Sequence, residues 1–164
     1  MSDKPLIPHP SSLIPVPRAV TIVALLFVTA AICAITIGTT GSTYTKVDPR
    51  PFDDLRHLAH RVEHKPVSTN ILAVIIVPII GNVLLFVPWG FLMFIALYTV
   101  ERPTMQTYVL TILLGFTFTT VVEAWQYFLP SRVADINDVI WNTVGTIFGA
   151  ILGHMRLRVR FEFE

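Results

Sequence analysis

The stretch VVEAWQYFLPSRVADINDVIWN, running from Val121 to Asn142, decides how this chain folds. It sets Glu123, Gln126, Arg132, Asp135, Asp138 and Asn142 where two apolar runs, each near bilayer length, approach one another. A carboxylate or amide beside hydrocarbon is costly unless it is paired or faces water. Each of these residues is therefore a candidate binding residue, and a purely structural polar network is the competing reading.

Outward from this stretch, the composition sets the class. Of 164 residues, 53% are hydrophobic and 14% charged, and the mean hydropathy is +0.65. That balance is too apolar for an ordinary soluble domain and implies an integral membrane protein. A net charge of +1 offers no basic face for nucleic acid, so none is expected as partner. The single cysteine, Cys33, excludes an internal disulfide and reads as a small core residue. No CxxC, HExxH, nucleophile elbow or phosphate loop occurs, and neither a cofactor nor a metal is expected.

Hydropathy predicts an all-α integral membrane fold with four transmembrane helices, at about 19–37, 71–100, 107–129 and 138–153. The first has no charge and exceeds a signal peptide's apolar core of roughly 7–15 residues, so it reads as a retained anchor. The second contains Pro78, Gly81, Pro88 and Gly90. Proline removes a helical hydrogen bond, and a broken or kinked second helix follows, with an entry segment to Ile80 and a helix capped by Asn82.

Residues 1–18 carry five prolines and read as a mobile tail ahead of the membrane domain, 19–154. The charged C-terminal tail, 155–164, alternates Arg156, Arg158 and Arg160 with apolar residues. It reads as a short strand or as a segment lying on anionic headgroups.

Between the first two spans, Pro51 to Lys65 reads as an interfacial amphipathic helix. Leu55, Leu58, Ala59 and Val62 fall on one side, with Asp53, His57, His60 and His64 opposite. The histidines read as a wet, pH-sensitive face, with zinc ligation as the alternative.

In the third span, Gly115, Thr119, Glu123 and Gln126 share a narrow sector. In the fourth, Asp138, Asn142, Gly145, Gly149 and Gly153 share another. Glycines at four-residue spacing let a neighbouring helix approach closely. Asp135 is placed to cap the fourth helix. With four spans, the first loop and the 130–137 loop lie on one side of the membrane. Asn82, Glu123, Gln126, Asp138 and Asn142 converge there, with Arg132 able to pair a carboxylate or meet a phosphate. Lys and Arg divide six against six between the two sides, so the positive-inside rule ties. The arginines behind the fourth span and the long first loop lean towards cytoplasmic termini.

These residues together resemble the VanZ-like family of bacterial membrane proteins. The resemblance rests on Asn82-Val-Leu-Leu-Phe-Val-Pro88-Trp-Gly90. It rests also on Glu123-x2-Gln126 followed by Arg132-x2-Asp135-x2-Asp138-x3-Asn142-x2-Gly145-x3-Gly149. It covers about residues 70–153, with Thr119 where the family often has serine. The resemblance implies a multi-pass protein of the bacterial inner membrane with an envelope-related role, linked to resistance to the glycopeptide teicoplanin. It implies no reaction, and it favours a polar cluster facing outward.

Three functional readings follow. In the first, the cluster binds or remodels the headgroup of a cell-envelope lipid or lipid-linked glycan, so membrane lipids and lipid-linked cell-wall precursors are the expected partners. In the second, Glu123 and Asp138 form an acid–base or metal-binding pair of a membrane enzyme. In the third, the chain is a non-catalytic accessory subunit with a membrane-protein partner.

Overall fold

The structure is a computed structural model that describes residues 18–38, 47–48, 51–52, 56, 59–60, 69–129 and 134–162. Four long helices dominate it: α1 (Arg18–Gly38), α2 (Thr69–Leu97), α3 (Thr104–Tyr127) and α4 (Ile136–Glu162). Two short strands, β1 (Val47–Asp48) and β2 (Ala134–Asp135), pair in parallel, Val47 with Ala134 and Asp48 with Asp135. The first loop therefore meets the loop before α4, as the same-side topology requires.

Among the described residues, three segments are long and apolar enough to cross a membrane: Arg18–Thr36, Ile75–Leu97 and Thr104–Tyr127. The expected fourth span lies inside α4, which is long enough but less apolar. Asn137, Asp138, Asn142, Thr143, Thr146 and His154 dilute its hydrocarbon character.

The second helix corrects one expectation. It is not broken near Gly81 but runs helically from Thr69 to Leu97, through both Pro78 and Pro88. Asn82 thus sits mid-helix and caps nothing. Both proline rings are exposed, so the missing N–H groups lie on the outward side. From Asn82 to Phe94 the inward side is held by α4.

That α2–α4 seam is built from absent side chains. Gly145, Gly149 and Gly153 face Val83, Val87 and Phe91, each partner advancing by four residues. A Cβ at Gly145 or Gly149 would overlap the carbonyl oxygen of Val83 or Val87. One turn along, Thr146 fills a three-helix junction. Gly90 of α2 abuts its backbone, and a Cβ at Gly115 of α3 would lie 2.6 Å from its hydroxyl oxygen. Without hydrophobic drive between helices in lipid, close backbone approach of this kind supplies the packing.

The inward face of α3 is small or polar throughout: Thr107, Thr111, Gly115, Thr119 and Glu123 follow at four-residue steps, all buried. Its outward face shows Leu113, Phe116 and Val121. Thr111 returns its hydroxyl to the Thr107 carbonyl at 2.8 Å, which satisfies it within the helix. The first helix is more loosely attached. It packs Ile32 on Phe86 and Trp89, and Thr29 accepts a 3.1 Å hydrogen bond from the Trp89 indole. At the far end of the bundle, Tyr108 and His154 share a 2.8 Å hydrogen bond beside the Phe94 ring, centred 4.8 Å from that of Tyr108.

The C-terminal stretch also departs from expectation. It continues α4 helically to Glu162, so the strand reading gives way; once the α4 ladder is established, each further residue adds a hydrogen bond at little cost. Of the expected interfacial helix, Pro51 and Phe52 form a turn, and Arg56, Ala59 and His60 are helical and exposed. Asp53, His57 and His64 lie outside the described residues, as do the N-terminal tail to Pro17 and Arg132.

Candidate functional site

The polar residues meet where the end of α3, the start of α4 and the body of α2 come together. Their positions follow from helix geometry. Glu123 and Gln126 are three apart on the last turns of α3, and Asp138 and Asn142 are four apart on the first turns of α4, so each pair projects from one face. The glycine seam then fixes the rotation of α4 and turns its pair towards α2 and α3.

Among the described residues, these side-chain links bind the set. The Asn82 amide donates to the Asp138 carboxylate. The Asp135 backbone N–H donates to Glu123 Oε2 at 3.1 Å. The Asn142 amide donates to Thr119 Oγ1 at 2.8 Å. Gln126 Nε2 donates to the Thr36 carbonyl at 3.1 Å, which ties α3 to α1. Asp135 also caps α4 as expected, its carboxylate accepting the Asn137 N–H at 2.8 Å.

Burial separates two groups. Asn142 and Gln126 are each 3% exposed and Glu123 is 7% exposed, whereas Asn82, Asp135 and Asp138 are half-buried. Asn142 Oδ1 is buried and has no hydrogen-bond partner among the described residues. An unpaired buried acceptor costs about 1–3 kcal/mol.

The first loop covers this end. Phe52 donates its N–H to Asn137 Oδ1 at 2.8 Å, and its ring meets Trp141 edge-on, with centroids 6.1 Å apart. Its φ of 62° is left-handed, a conformation that is a genuine outlier for a bulky residue and persists when the surroundings over-determine it. The Asn137 bond, the Trp141 contact and the strand pair supply that determination.

Sequence reasoning had placed Asn82, Glu123, Gln126, Asp135, Asp138 and Asn142 at one end of the bundle, and the structure brings all six there. It missed Phe52, Asn137 and the Thr36 carbonyl. Phenylalanine gives no sign of a left-handed turn, and a backbone carbonyl gives none of being an acceptor. Asn137, next to the Asp135 cap, was the one legible signal.

Chemically, the arrangement gathers oxygen acceptors from Glu123, Asp138 and Asn142, while the Asn82 and Gln126 amides donate to Asp138 and to the Thr36 carbonyl. Glu123 and Asp138 are held by different donors, on α4's approach and on α2. Among the described residues, no group of three His, Cys, Asp or Glu side chains is arranged to hold a metal ion.

A family model described as VanZ/LLP1 matches residues 19–157. The match begins at α1 and so reaches further than the sequence blocks from Asn82 to Gly149. No curated protein and no solved structure matches the chain.

Proposed function

The chain belongs to the VanZ/LLP1 family, and on that premise we propose that this membrane protein binds the headgroup of an envelope lipid or lipid-linked glycan at its polar end. The observation that carries this is the buried, unpartnered Asn142 Oδ1 set among Glu123, Gln126 and Asp138. A buried acceptor with no donor among the described residues calls for an explanation, and a bound group that donates to it supplies one. In this reading Gln126 and Asn142 hydrogen-bond sugar or peptide groups, Asn82, Asp135 and Asp138 shape the rim, and Arg132 engages phosphate through its planar fork.

The same reading completes the topology. α4 crosses as a fourth span with its polar side turned to α2 and α3 and with Phe148, Ile151 and Leu152, all exposed, towards lipid. Pro78 and Pro88 bend α2 along the way. Both termini then lie in the cytoplasm of a bacterial inner membrane, and the polar end faces the outer leaflet, where glycopeptides act. A role in teicoplanin resistance fits that placement.

The test uses Glu123→Gln and Arg132→Ala, scored for teicoplanin susceptibility of expressing cells and for protein abundance in the membrane. The reading expects both variants to lose the resistance phenotype at unchanged abundance. Loss of the protein from the membrane would favour the structural network, and an unchanged phenotype at full abundance would contradict a site.

A further inference from the structure

An apolar groove lies further along the helices from the polar end. Between α1, α2 and α3 runs an open groove of about 370 Å³, within the ~300–1,000 Å³ of small-molecule sites. Leu25, Leu26, Trp89, Met93, Leu114 and Phe118 line most of it. Trp89 and Phe118 stack at 5.5 Å to form a flat floor. The polar group on its α1 wall is satisfied: the Thr29 hydroxyl donates to the Leu25 carbonyl at 2.8 Å while accepting from Trp89. The surface offered is hydrocarbon.

Depth identifies the occupant. At ~1.5 Å per residue, Thr29 and Leu25 lie ~10 and ~16 Å along α1 from Thr36. Trp89 and Met93 lie equally far along α2 from Asn82, and Phe118 and Leu114 lie ~12 and ~18 Å along α3 from Gln126. All three helices thus set the groove at the same distance from the polar residues, and that distance is the depth of acyl chains in one ~15 Å leaflet. Above the groove, Val121 and Trp125 continue the Leu114–Phe118 stripe at three- and four-residue steps and are exposed, which leaves a path up to Gln126. Leu26 and Leu114, which line the groove, are exposed, so a flexible chain can lie against them.

We propose that this groove holds one hydrocarbon chain of the lipid whose headgroup the polar end binds, so the inference rests on the headgroup reading. The pair of sites would select a lipid by head and tail together, with the Gln126–Thr36 bond marking the level at which one passes into the other.

The experiment reconstitutes the full chain in vesicles of phosphatidylethanolamine and phosphatidylglycerol carrying a phosphatidylglycerol probe with a diazirine midway along one acyl chain. Its phosphate and hydroxyls suit the donors and acceptors above. After photolysis, adducts are mapped by mass spectrometry. Expected is about tenfold more labelling at Leu26, Leu114 and Thr117 than at Leu113 on the outward face of α3, equivalent to tenfold in occupancy. Thr117→Trp, which fills the groove, should lower that labelling to the Leu113 level. Even labelling of both faces, adducts linking two protein chains through the groove, or no change in Thr117→Trp would overturn the chain site. Strong groove labelling that is identical with a phosphatidylcholine probe and in Asn142→Leu supports the chain site and overturns the headgroup reading.

Discussion

The two halves of α4 hold their neighbours by opposite means. At Gly145, Gly149 and Gly153 the helix presents no side chain to α2, which closes on it until backbone meets backbone. At Asp138 and Asn142 it presents polar side chains, linked to Asn82 and Thr119. The glycine half is rigid because any added atom collides. The polar half is held by individual hydrogen bonds, and one of its acceptors is left over. The difference teaches that the seam positions the polar end, where among the described residues the Asn142 oxygen has no donor, as the Thr107 hydroxyl has none at the other end of α3.

The comparison breaks most sharply at Gly149. Gly149→Ala should destabilise the bundle by about 3 kcal/mol, the upper end for overpacking, read as denaturant unfolding in detergent. A cost below about 1 kcal/mol would mean that the seam can open and is not the rigid half. Next comes Asn82→Leu, which takes a donor from Asp138 and should cost about 2 kcal/mol, with most of that recovered in Asn82→Leu/Asp138→Leu. A double variant as unstable as the single one would show that Asp138 matters through other partners.

Glu123→Gln is expected to cost about 1 kcal/mol or less, because an amide oxygen still accepts the Asp135 N–H. A larger loss by thermal melting would make Glu123 a structural residue. The smallest effect belongs to Gly81→Ala, where an added Cβ meets nothing within 4 Å. It should leave stability unchanged or raise it by up to ~1 kcal/mol, which separates the seam glycines from a glycine that merely sits in the same helix bundle.

Much of this was legible in the sequence because the signals are periodic. Gly145, Gly149 and Gly153 repeat at the spacing of a helix face, and Glu123, Gln126, Asp138 and Asn142 stand out against hydrocarbon. Asp135 could be read as a cap from its place before an apolar run. The continuity of α2 could not be read, since the proline pattern speaks of lost hydrogen bonds and not of the neighbour that packs against the helix beyond them. Nor could the covering turn at Phe52, whose backbone conformation is imposed by Asn137 and Trp141 from 85 and more residues away. The weaker apolarity of α4 has the same origin: its polar residues serve the interior contacts, so composition alone understates its place in the bundle.

The most direct test of the central claim, that the polar end is a ligand site, is native mass spectrometry of the protein extracted from bacterial membranes into mild detergent. The wild-type chain should retain a phosphate-bearing lipid. Glu123→Gln and Arg132→Ala should lose it while melting within about 4 °C of the wild type, and Gly81→Ala should keep it. Equal lipid retention in all four proteins, or loss that appears only together with unfolding, would contradict the claim.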